Sequence, residues 1–93
     1  MNQEIKLELI TREGCHLCDE AQDVLAGVIA RFSAEHPSVS YTIETIDIDQ
    51  DTELLAKYSD EVPVLLLNGK QIAFLRLDAT RVFDRLVSMA TNS

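Results

Sequence analysis

Val64 to Leu67 is an unbroken apolar run, and Asn68-Gly69 follows it at once. Such a run suits a strand covered on both faces rather than on one. Asn-Gly is a strong hairpin signal, because a type I′ turn needs positive φ at both central residues. The returning strand is Gln71 to Leu75. A strand of this kind requires other strands beside it and helices above and below. The remainder of the chain has to supply them.

Ile5 to Ile10 alternates, with Ile5, Leu7 and Leu9 on one face and Lys6 and Glu8 on the other, so it reads as a first strand. Thr11 to Gly14 is a loop that delivers the chain to Cys15. Leu17, Ala21, Val24, Leu25, Val28, Ile29 and Phe32 recur at spacings of three and four, which predicts a long amphipathic helix. It starts at the cysteine pair and is stopped by Pro37, with His36 just before. Val39, Tyr41 and Ile43 alternate as a second strand; the phase then slips to Ile46 and Ile48, which predicts a bulge or an end of pairing near Glu44. Asp51 or Thr52 opens a short helix through Tyr58, and Asp78 caps a last helix through about Met89, burying Val82, Phe83, Leu86 and Val87. Phe32, Phe74 and Phe83 are assigned to the core.

The order is therefore βαβαββα. The early strand–helix–strand implies a parallel pair and the hairpin an antiparallel one. The simplest result is an α/β fold with a four-stranded mixed sheet and three helices. With 93 residues, 1–93 form one domain.

Lys plus Arg number 8 and Asp plus Glu 16, for a formal charge of −8. A surface this acidic argues against nucleic acid and against anionic membranes. Met1 is followed by Asn2, Gln3 and Glu4 rather than by a basic and then an apolar stretch, so a cytoplasmic protein is expected.

The chemistry is concentrated in Cys15-His16-Leu17-Cys18. Two intervening residues at a helix N-terminus bring two sulfurs close enough to form a disulfide. The first sulfur faces free N–H groups and the positive end of the helix dipole, which stabilise a thiolate. The second lies one turn further in. A CxxC after the first strand of a βαβ pattern is a setting for dithiol redox chemistry. Half of a zinc site, a metal or iron–sulfur cluster shared across a dimer, and incidental thiols are the alternatives. A zinc site needs two more ligands, and only His16 and His36 remain as histidines. His16 is either an acid–base partner of the Cys15 thiol or a solvent-facing residue of the first turn. Asp19 and Glu20 raise the thiol pKa wherever they approach the sulfurs. Asp47, Asp49 and Asp51 resemble the start of a calcium loop, but Thr52 replaces its glycine and Tyr58 its final glutamate, so no metal site is assigned.

Thr11 to Cys18 resembles the active-site segment of the small glutaredoxin-like proteins of the thioredoxin-fold superfamily. Glu61 to Gly69, with Val62-Pro63 before the apolar strand, resembles their cis-proline strand and hairpin. The resemblance covers roughly Ile5 to Val87 and implies a thioredoxin-like fold and thiol–disulfide exchange. It implies Cys15 as attacking sulfur, Cys18 as resolving sulfur and a cis Pro63 beside them. The Val62 backbone is then free to pair with an extended substrate. A redox-inactive adaptor that docks peptides on the Pro63 face is a further alternative. Typical glutaredoxins carry Pro-Tyr between the cysteines and a Gly-Gly turn before the last helix. Here His16-Leu17 and Leu75-Arg76-Leu77-Asp78 stand in those places. The resemblance implies Asp78 as the counterpart of the helix-cap acid that meets the glutathione amino group, and Arg12 and Arg76 as candidates to meet a carboxylate. The missing glycines argue against glutathione as co-substrate, and no cofactor is expected. The implied partner is a disulfide-bearing protein or small molecule, with an unidentified reductant, and the chain is expected to be a monomer.

Overall fold

The computed structural model describes residues 4–91. Strand β1 (Ile5–Thr11) leads to helix α1 (His16–Glu35) and strand β2 (Tyr41–Asp47). A single 3-10 turn (Ile48–Gln50) and helix α2 (Thr52–Tyr58) follow. The hairpin of β3 (Val64–Leu67) and β4 (Lys70–Phe74) then precedes helix α3 (Ala79–Thr91). The sheet order is β2-β1-β3-β4. β1 pairs parallel with β2 and antiparallel with β3, and β3 pairs antiparallel with β4. This is the mixed four-stranded sheet with three α-helices that the pattern predicts; the 3-10 turn is an addition.

Both faces of the sheet are covered, which accounts for the apolar run. Leu65 and Leu67 join Ile5, Leu7 and Leu9 in a core sealed by α1 and α3, where Phe32 and Leu86 are wholly buried. Val64 and Leu66 face the other way with Ile10, Ile48 and Tyr58, under α2. All four residues of β3 are buried. The hairpin closes with Asn68 at φ 50° and Gly69 at φ 84°, as a type I′ turn demands. The Asn68 side chain also accepts a hydrogen bond from the Lys6 N–H at 2.7 Å, tying the turn to the start of β1.

Three expectations need correction. No bulge lies near Glu44: β1 and β2 stay in register from Ile5↔Tyr41 to Thr11↔Asp47. The change of apolar phase has another origin. Val39 and Tyr41 pack on the α1/α3 face, whereas Ile48 packs beneath α2, so this edge segment serves both cores. The irregularity sits instead in the β3–β4 hairpin, between Leu65 and Leu66. Leu65 faces Ala73 and Leu66 faces Gln71, so Ile72 is the extra residue. Phe74 lies beyond that irregularity and is 51% exposed rather than buried. Strand β4 ends at Phe74, and α3 continues to Thr91.

Caps fix the helix ends. Asp51 accepts from the N–H groups of Glu53 and Leu54 at the start of α2. Asp78 accepts from the Arg81 N–H at 3.2 Å at the start of α3. No helix among the described residues is long and apolar enough to cross a membrane.

Candidate active site

The register of the sheet decides where the chemistry lies. Ile10, near the end of β1, pairs with Val64, the first residue of β3. The loop leaving β1 and the residues entering β3 therefore share one end of the sheet. That loop carries Gly14, at φ 78°, and then Cys15. The segment entering β3 carries Val62 and Pro63, whose peptide bond is cis. Pro63 is fully buried and Val62 half-buried against the α2 core.

Cys15 is the N-cap of α1, with extended backbone (φ −94°, ψ 115°). Its side chain takes the part that Ser or Asp plays at other helix starts. The Cys18 N–H donates to the Cys15 Sγ at 3.1 Å. A thiolate at Cys15 meets that donor directly. Cys15 is half-buried and Cys18 buried, and both are free thiols. The Cys18 thiol is pushed up from 9.0 to about 11. Burial is the largest cause; the hydrogen bond with Cys15 and the charges of Cys15 and Asp19 add to it, while a backbone hydrogen bond at Arg12 opposes them. The two sulfurs are thus unequal: one at the surface facing an N–H donor, the other a turn inside and held protonated.

His16 is exposed in the first turn of α1. Arg12 is directed to Asp49, its Nε 3.6 Å from the carboxylate, with both side chains well exposed. Asp78 spends one oxygen on the cap of α3. Among the described residues, no three His, Cys, Asp or Glu side chains converge to hold a metal ion.

Two features were not anticipated. Leu75 has φ 64°, a left-handed value for a bulky residue. Its N–H donates to the carbonyls of Pro63, at 2.8 Å, and Glu61, at 3.1 Å. The Arg76 N–H closes a three-residue turn onto the Phe74 carbonyl at 2.7 Å. The link behind Pro63 is therefore made by the chain that leaves β4. No residue type at 75 signals it; the only hint is that the resembling family places glycine in this turn. The second feature is a groove of about 390 Å³ beside the dithiol, floored by Leu17, Ala21, Val24 and Leu77, with Glu20, Asp23 and Arg76 along it. Leu17 and Val24 are half-buried for this reason.

Comparison with known proteins agrees with the fold. The model of the Glutaredoxin-like domain (DUF836) matches residues 6–87. A glutaredoxin-like protein of Dictyostelium discoideum, named as a YDR286C homolog, is 30% identical over 81 residues, covering 85% of this chain and 72% of the relative. A structural-genomics target protein from X. campestris superposes with a TM-score of 0.67 at 31% identity, over 88% of this chain and 96% of that one. Thioredoxin-2 of the malaria parasite, at 14% identity, shares the fold alone, with a TM-score of 0.65 over 95% of this chain and 85% of its own. The chain has the thioredoxin fold and belongs to the glutaredoxin-like family (DUF836).

Proposed function

We propose that the chain is a thiol–disulfide oxidoreductase in which Cys15 attacks and Cys18 resolves. The observation that carries this reading is the N-cap position of Cys15, with the Cys18 N–H 3.1 Å from its sulfur and a buried second thiol one turn away. The Cys15 thiolate attacks one sulfur of a substrate disulfide. A mixed disulfide forms, and the other substrate sulfur leaves as a thiolate and takes a proton from water. Cys15 then carries no negative charge. Two of the causes that hold the proton on Cys18, the charge of Cys15 and the hydrogen bond with it, are thereby removed. Cys18 releases its proton to solvent and attacks the Cys15 sulfur. The Cys15–Cys18 disulfide forms and the second substrate thiolate departs. The substrate gains two electrons and the dithiol loses two; an external thiol reductant restores it.

The position of Val62 and Pro63 at the same end of the sheet supports a docking role for an extended substrate segment there. Leu75-Arg76-Leu77 in place of a Gly-Gly turn supports weak glutathione-dependent turnover of small mixed disulfides. Robust turnover, saturating at low millimolar glutathione, would contradict that part.

The test is trapping. Cys18→Ser keeps the first attack and accumulates a covalent complex through Cys15, detected by mass spectrometry with a model disulfide. Cys15→Ser removes exchange at neutral pH. A Cys18→Ser chain that traps nothing would falsify the scheme. Stoichiometric bound metal in anaerobically purified protein, with no reversible two-electron transition, would favour a metal-binding module.

A further inference from the structure

With a net charge of −8, the chain as a whole repels acidic partners. Basic residues nevertheless gather between β4 and α3. Arg76, Arg81 and Arg85, three of its 8 basic residues, line a single cavity of about 140 Å³ between β4 and α3. Asp78 is the one acid in its wall, and it is engaged in capping α3. Among the described residues the ion pairs are Arg12–Asp49 and Arg31–Glu35, so none of these three arginines is paired. Clustered like charges repel one another. Of the chain's 16 carboxylates only that of Asp78 stands in this wall, so the three arginines keep an excess of positive charge there.

The rest of the cavity is apolar. Ile72 and Val82 lie in its wall, and Phe74, 51% exposed, stands at its rim. A bare inorganic anion makes no use of such a surface, whereas a peptide side chain does. β4 is the outer strand of the sheet, with one edge unpaired. An extended segment laid along that edge presents side chains to the cavity.

We propose that this cavity docks an acidic polypeptide segment of a partner protein, its carboxylates on Arg76, Arg81 and Arg85 and an apolar side chain against Phe74. Arg76 also lines the groove that includes Leu17, which lies between Cys15 and Cys18 in sequence. A segment held by the arginines therefore extends toward the dithiol. Resting on the exchange reading, this narrows the substrates to disulfide proteins with acidic residues near the disulfide; the docking itself does not depend on that reading.

The test uses the reduced full-length chain and a synthetic cysteine-free peptide of alternating Glu and Val, titrated at low ionic strength by calorimetry. Saturable binding is expected. Arg81→Gln with Arg85→Gln should weaken it by about tenfold or more, and so should physiological salt. Both arginines are exposed on α3, so the fold is kept. Lys6→Gln with Lys57→Gln removes the same charge elsewhere and should leave binding within about twofold. Absence of saturable binding overturns the proposal. Equal losses in the two double variants overturn it too, because net charge alone then explains the result. Inorganic phosphate binding more tightly than the peptide also overturns it, in favour of a small-anion site. The peptide has no thiol, so failure of the exchange reading leaves this result standing, and the reverse.

Discussion

Titration of Cys18 tests the electrostatics of the site most directly. Its thiol is raised from 9.0 to about 11, with burial as the first cause. A shift of two units lowers the thiolate fraction at neutral pH by about a hundredfold, so alkylation of Cys18 should be about a hundredfold slower than that of a free thiol. The same shift acts on stability. A group whose folded pKa lies above its unfolded value contributes stability below the unfolded pKa and loses it as pH rises through the folded pKa. For Cys18 the window runs from 9.0 to about 11; two units set an upper bound of about 3 kcal/mol, which solvent screening and the share of the shift owed to Cys15 reduce. Other groups titrate there as well, so the assay is a difference. Urea unfolding of the reduced chain and of Cys18→Ala is followed across that window. The wild type should lose up to about 3 kcal/mol more than the variant. In Cys15→Ser, ultraviolet thiolate absorbance should place the Cys18 midpoint below about 11 but above 9.0, because burial remains when the Cys15 charge is gone. A midpoint at or below 9.0 in that variant, or parallel stability curves for the wild type and Cys18→Ala, would refute the reasoning.

Other outcomes follow from the packing and the backbone. Phe32→Ala, at a wholly buried position, should cost about 3–5 kcal/mol in urea unfolding. Asp51→Ala should cost about 1 kcal/mol, since two N–H groups of α2 lose their acceptor. Gly14→Ala meets no atom within 4 Å and should cost only the left-handed backbone, about 1–2 kcal/mol, and slow exchange by displacing Cys15. Leu75→Gly should be neutral or stabilising by up to about 1 kcal/mol, because relief of the left-handed φ outweighs the added freedom of the unfolded chain. The exposed helical control Ala26→Gly should lose about 1 kcal/mol.

The hairpin, the dithiol helix and the order of elements along the chain were legible because each has a local cause. Asn68-Gly69 can be read as a turn without knowing its surroundings, and α1 announces itself by spacing. Glu44 and Phe74 were misread for one reason. Periodicity assumes that each strand buries one face, and the two edge strands do not. β2 and the turn after it send apolar residues to both cores, so a change of phase there says nothing about pairing. In β4 the unpaired Ile72 alters the alternation, and no residue type in Gln71 to Phe74 encodes that shift. The positions of Cys15, Cys18 and Pro63 were legible. The orientation of Arg12 toward Asp49 was not, since it arises between segments far apart in sequence.

The strained turn at Leu75 connects these parts. A left-handed leucine costs about 1–2 kcal/mol, and this one is 40% exposed, so its own burial offsets little of that. What the conformation secures is the path of the chain. The N–H of Leu75 is directed onto the Pro63 carbonyl, which fixes the entrance to β3 from behind. The next two residues then part company: Leu77 is buried in the α1/α3 core, and Arg76 is left between the groove beside the dithiol and the arginine cavity. A relaxed extended residue at 75 would continue β4 along the sheet edge and carry Arg76 away from both. Strain held at a position that sets the flank of the candidate site is the pattern of a positioning element rather than of a packing defect. The backbone at Leu75 thereby couples the floor of the Pro63 segment to the placement of the Arg76 charge.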